Sequence, residues 1–243
     1  MVAESWVCPE LTFKSNLISK IRLYEFLKNK KFLKKYIKIS TPEVFGSATI
    51  NENKFNNYKP STPYALSHST IETYIMMLKK HHNFPAIISR FANFYGPFQK
   101  IYRVIPLTIH KAIKKEKFYL HGGGKSRRSF IHNEDFCNGI YKVIKKGKIS
   151  ETYHFSSKEY ISIKELVHKI YLRFNLNPKK YIINVKDRVG KDTDYKISDN
   201  KTKNKLNWTN IMDLNKGIDS VIEWYLRYEK KIKEQETKFK INS

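Results

Sequence analysis

The sequence predicts an α/β fold built on a doubly wound parallel sheet, and three observations carry the prediction. Residues 36–39 and 84–91 are short apolar runs, the second of them (FPAIISRF) apolar almost throughout, as a strand covered on both faces is. Before and between them lie segments whose apolar residues recur every three or four positions, the period of a helix packed on one face. The order of strand remnant, helix, strand, helix, strand is that of successive βαβ crossovers.

In chain order, residues 1–8 (MVAESWVC) read as the end of a strand, and 11–33 as a helix with Leu17, Ile21 and Tyr24 along one line. Residues 34–39 form a strand that stops at the turn 40–46, and 51–63, rich in Asn, Lys and Pro, form a surface loop. A helix opens at Tyr64 and turns Ile71, Ile75 and Leu78 inward. After the strand 84–91 come a helix at 104–117, a strand at 118–121 stopped by Gly122-Gly123-Gly124, an extended stretch at 129–132 and a helix at 133–146. Asp135 falls in the first turn of that helix, where a carboxylate complements the helix dipole. A strand at 151–156 precedes a helix at 162–174, where Ser162 and Glu165 have capping-box spacing. A strand at 181–185 and helices at 200–206 and 214–234 follow, and the last ten residues, polar and Lys-rich, are expected to fray.

The chain has 243 residues, 40% hydrophobic and 14% aromatic, enough apolar content for a packed core rather than a disordered chain. The net charge of +25 raises nucleic acid or an anionic membrane as partners. The lysines are spread through nearly every helix, however, and no aromatic-basic nucleic-acid motif stands out, so a solvated surface that attracts small anions is expected instead. No run is long and apolar enough to span a membrane and no signal peptide is recognisable, which gives a cytoplasmic expectation. Cys8 and Cys137 are too few and too far apart for a disulfide or metal framework.

The chemistry concentrates in STPEVFGS (40–47) and PSTPYALSH (60–68). The first delivers the Thr41 hydroxyl and the Glu43 carboxylate at the C-terminal end of a strand. The second opens a helix with Tyr64 and His68 four residues apart, on one helical face. A hydroxyl, a carboxylate, a phenol and an imidazole are thereby available to one ligand.

These stretches occur in one order with AES (3–5), RFANFYGP (90–97), VIPLTI (104–109), HGGGKSRRSFIHNED (121–135), DRVGKD (187–192), LNW (206–208) and GIDSVIEWY (217–225). The set resembles the extended short-chain dehydrogenase/reductases that act on nucleotide sugars, the NAD-dependent epimerase/dehydratase family. Within it the resemblance is nearest to the dTDP-glucose 4,6-dehydratases of surface-polysaccharide gene clusters, and it covers essentially the whole chain. It implies a Rossmann-like sheet, with 1–97 as the dinucleotide-binding part, 98–243 as mainly a smaller α/β substrate-binding part, and 129–175 returning to the sheet. It implies NAD as cofactor, a nucleotide-diphosphate sugar as substrate and a homodimer. By the same resemblance Thr41, Glu43 and Tyr64 are catalytic, and Tyr64 and His68 face the cofactor. Asn93, Arg128 and Arg188 grip the nucleotide diphosphate and Val104 lines the nucleoside pocket, with Arg127 as surface charge and Arg90 in structural pairing.

Three departures from the family pattern stand in the sequence. The lysine four residues after the tyrosine is here His68, the acid before the carboxylate is Pro42, and none of the nine glycines forms a Gly-rich phosphate turn after a strand. The expectation is therefore a partial sheet that lacks its first strands. Alternative readings are an epimerase or decarboxylase of the same family, or a non-catalytic truncated remnant that binds sugar nucleotide.

Overall fold

A computed structural model describes residues 2–47, 49–50, 57–187, 194 and 196–233; the structure is α/β with parallel sheets. Arg188, most of the DRVGKD motif, much of the expected 51–63 loop and the last ten residues lie outside the described residues. The chain forms two compact units, 1–92 with 136–156 and 189–209, and 93–135 with 157–188 and 210–243. The chain passes between the units at 92/93, 135/136, 156/157, 188/189 and 209/210. Arg127–His132 is hydrogen-bonded to strands of the second unit.

The first unit is organised by a parallel sheet in the order Tyr36–Ser40, Ala86–Phe91, Thr152–Phe155. The middle strand is buried at all six positions, as its near-continuous apolar sequence requires. On one face the helix Pro63–His82 sets Ile71, Ile75 and Leu78 against Tyr24, Phe84 and Ala86. On Phe91 lie the rings of Phe155, stacked at 4.2 Å, and Phe136, at 4.4 Å. Gly139 makes this approach possible, since a Cβ there would come within 2.9 Å of Phe155. The expected helix at 11–33 is interrupted: Pro9–Phe13 and Ser19–Leu27 are α-helical, and Lys14–Ile18 between them is a π-turn. The expected strand remnant at the N-terminus is a 3₁₀ turn, Ala3–Trp6, because Ser5 is buried with its hydroxyl donating to the Val2 carbonyl at 2.6 Å.

The second unit holds Asn93–Tyr95 parallel to Arg127–His132, which pairs antiparallel with Tyr160–Ser162, and a two-stranded parallel pair, Phe118–His121 with Ile182–Val185. Its core joins Ile105 and Ile109 of Val104–Ile113, Leu166 and Ile170 of Ile163–Arg173, and Ile218, Val221 and Tyr225 of Leu214–Arg227. The capping box at Ser162 and Glu165 forms as the sequence indicates. Asp135 does more than complement a helix dipole. Its buried carboxylate accepts from Asn210 Nδ2 at 2.6 Å and from the backbone N–H groups of Ile211 and Met212, each at 3.0 Å. Asp135→Ala strands all three donors, so the urea midpoint should fall by an amount equivalent to about 2–3 kcal/mol at unchanged m-value.

Candidate active site

The strand Tyr36–Ser40 runs directly into a 3₁₀ turn, Pro42–Phe45, whose N-cap is Thr41. Thr41 is extended, its Oγ1 accepts from the Glu43 N–H at 3.3 Å, and Pro42 needs no such partner because it has no N–H. Gly46 ends the turn at φ 65°, and a Cβ there would stand 2.4 Å from the Lys59 carbonyl oxygen. Lys59 in turn donates its N–H to the Val44 carbonyl at 3.0 Å. The turn that carries Thr41 and Glu43 is thus fixed from both ends, with Val44 and Phe45 buried beneath it.

Tyr64 and His68 sit in the first two turns of Pro63–His82, a helix capped by Thr62 and opened by Pro63. Their rings meet at 4.6 Å between centroids, so the four-residue spacing does bring them together. Sequence reading missed the third member of this group. Lys38, in the middle of its strand, is only 5% exposed, whereas its neighbour Ile39 is 45% exposed. Lys38 Nζ lies 3.2 Å from His68 Nδ1 and donates to the Ile39 carbonyl at 2.7 Å. The available signal was the two-residue strand period, which puts Lys38 on the same side as Ser40, the residue leading into Thr41.

Burial pushes the Lys38 ammonium down to about 8; Lys20 and Arg90 push the same way and Glu72 opposes them. Burial, then Lys38, then Lys20 drive the His68 imidazole down to about 3. At neutral pH the lysine is therefore charged and the histidine neutral. An ammonium can only donate, so Nδ1 of His68 accepts and Nε2 carries the proton.

Behind these residues lies a buried charged group that supports the turn. Arg90, 1% exposed, donates to both oxygens of Glu72, 0% exposed, and to the Tyr58 hydroxyl and His154 Nε2. Tyr58 donates to Glu72 at 2.7 Å, and the guanidinium lies 4.7 Å over the Phe45 ring. Arg90 thereby has the structural pairing expected of it. Burial and Arg90 hold His154 well below its ordinary range. A histidine kept neutral by the fold stabilises it fully above its unfolded pKa, near 6.5, and loses that contribution as pH falls below it. His68 and His154 together should make stability drop from about pH 6.5 downward, by up to about 1.4 kcal/mol per pH unit for each. Urea titrations at pH 7.5, 6 and 5 check this.

Of the residues expected to bind the nucleotide sugar, Asn93, Val104 and Arg128 lie in the second unit. Asn93 opens its strand and pairs with Phe130 in register, and Arg128 is two residues from that partner, on the same side of the adjacent strand. Arg128 is buried and donates to the Arg127 carbonyl at 2.7 Å. Val104 packs against the core of its unit. Arg127 is exposed and lies over the Tyr160 ring, donating to that residue's carbonyl at 2.7 Å. Among the described residues no group of His, Cys, Asp or Glu is arranged to hold a metal ion, and no helix is long and apolar enough to cross a membrane.

A parallel sheet with Thr41 and Glu43 at the end of one strand, and Tyr64 in the first turn of the following helix, defines a Rossmann-like protein of the epimerase/dehydratase class. The family model of the GDP-mannose 4,6 dehydratases matches residues 1–221, and the chain belongs to that family. It is 28% identical over 207 residues to a probable dTDP-glucose 4,6-dehydratase of Sinorhizobium fredii, covering 82% of this chain and 59% of that one. It is 27% identical over 216 residues to a trifunctional UDP-glucose 4,6-dehydratase/epimerase/reductase of Arabidopsis thaliana, covering 87% of this chain and 32% of that one. The chain thus spans less than two thirds of the length of these relatives. A solved dTDP-glucose 4,6-dehydratase of Bacillus anthracis in complex with NAD is similar at a TM-score of 0.84 and 29% identity, over 90% of this chain and 70% of that one.

Proposed function

We propose that this chain carries the catalytic residues of a nucleotide-sugar 4,6-dehydratase of the dTDP-glucose type. The observation that supports this most is the single unit in which Thr41 and Glu43 share a braced turn and Tyr64 opens the next helix. In this reading Thr41 hydrogen-bonds the sugar and Tyr64 takes the proton of the C4 hydroxyl. The C4 ketone then acidifies the adjacent C5–H, whose proton Glu43 takes, and the C6 hydroxyl leaves as water on taking a proton from solvent, because Pro42 stands where the family carries an acid. A plain epimerase needs no second base, so Glu43 favours dehydration.

NAD, when bound, accepts the hydride from C4 and returns it at C6. Tyr64 and His68 would face its nicotinamide ribose, with Lys38 behind His68. A glycine turn for its pyrophosphate is not among the motifs of the sequence. Asn93, Arg128 and Arg188 are assigned to the nucleotide diphosphate and Val104 to the nucleoside pocket. We assign the protein to the cytoplasm and to surface-polysaccharide biosynthesis, as a homodimer formed by Pro63–His82 and the preceding helices, where Leu11, Ile18, Phe26 and Met77 are exposed.

Incubation of the purified chain with NAD and dTDP-glucose, followed by mass spectrometry, tests the reading. A product lighter by one water, carrying a 4-ketone and a C6 methyl, supports it. Inactivity across dTDP-, UDP-, CDP- and GDP-sugars, with sugar nucleotide still bound, would leave the chain a binding protein.

A further inference from the structure

We propose that Lys38 supplies, from the strand, the buried cation of this active site, and that His68 passes its influence to Tyr64 and to a bound ribose. The proposal rests on the dehydratase reading for its activity arm only. Lys38 Nζ is 3.2 Å from His68 Nδ1, and the His68 ring is 4.6 Å from that of Tyr64, so cation, imidazole and phenol are consecutive. Among the described residues no carboxylate forms an ion pair with Lys38, although it is 5% exposed. A buried charge without an ion-pair partner costs stability, and perturbed buried cations beside reactive groups mark functional sites. The groups that face Lys38 are few: His68 and Glu72 from Pro63–His82, Lys20 from Ser19–Leu27 and Arg90 from the adjacent strand. Glu72 is engaged by Arg90 and Tyr58, so its charge is largely spent elsewhere.

The arrangement has two chemical consequences. A cation near a phenol favours the phenolate, the form in which Tyr64 takes a proton. Donation to Nδ1 fixes His68 as the Nε2–H tautomer, which makes Nε2 a donor to a ribose hydroxyl. Lys38 is thus a positioning residue acting through His68, and a lysine at position 68 itself would make it dispensable.

The test uses the full chain and the variants Lys38→Met, Lys38→Arg and Lys38→Met/His68→Lys. In the activity arm Lys38→Met should lower kcat for 4-keto product about 10²-fold and move the acid limb of the pH–rate profile to higher pH. It should at the same time raise the thermal midpoint by several degrees, about what loss of one unpaired buried charge gives. The double variant should restore most of kcat and the wild-type profile. A Lys38→Met protein with a lower midpoint, an unmoved profile and no rescue by His68→Lys overturns the proposal, since a merely structural lysine behaves that way. The second arm needs no turnover: ¹⁵N NMR of His68 should show the neutral Nε2–H tautomer at pH 7 in wild type and a mixture in Lys38→Met. An Nδ1–H tautomer in wild type, or a His68 signal unchanged by Lys38→Met, overturns it. Inactive wild-type protein with the expected His68 signals would refute the dehydratase reading and support the Lys38–His68 pairing.

Discussion

Replacing Glu72 by alanine should destabilise the chain by about 3–5 kcal/mol, the largest stability loss expected from any single substitution at this site. The carboxylate is 0% exposed, is held by Arg90 through both oxygens and accepts a further hydrogen bond from Tyr58. Its removal leaves the Arg90 guanidinium, 1% exposed, without a counter-charge among Phe45, Tyr58 and His154. The pair itself need not be strongly stabilising, because two charges taken out of water are only repaid by their mutual attraction. Glu72→Met combined with Arg90→Met should therefore recover most of the loss. Urea unfolding followed by circular dichroism measures both, and a loss below about 1 kcal/mol for Glu72→Ala would mean that Arg90 finds water or another acceptor.

Tyr64→Phe should lower kcat by about 10³-fold while leaving the urea midpoint within about 0.5 kcal/mol of wild type. The ring is partly exposed and its contact with His68 survives the change, so folding is little affected. The phenol hydroxyl is the group assigned to removing the C4 proton, and phenylalanine cannot do it. Single-turnover assays with dTDP-glucose and NAD separate this step from binding. A variant that keeps more than a tenth of wild-type kcat would assign the base to another residue.

Much of the fold was legible because its signals are local. The apolar run before Phe91, the Ser162 capping box and the Thr62-Pro63 opening of the long helix each specify their own backbone. The positions of Thr41 and Glu43 on a turn and of Tyr64 and His68 on one helical face were legible for the same reason. Where several backbones compete, local signals failed: Lys14–Ile18 was read as plain α-helix and the N-terminal piece as a strand, though Ser5 closes a 3₁₀ turn there.

The sequence by itself determined the alternation of strands and helices, the family, and which hydroxyl, carboxylate and phenol are proposed for catalysis. Tertiary structure alone decided that Lys38 turns inward against His68 and that Glu72 meets Arg90 across 18 positions. It also turned Asp135 onto the 210–212 loop, 75 to 77 residues away. Period and spacing fix which residues share a face of one element. Which face is buried, and which charge ends beside which, depends on how distant segments pack and on whether each buried polar group finds a partner.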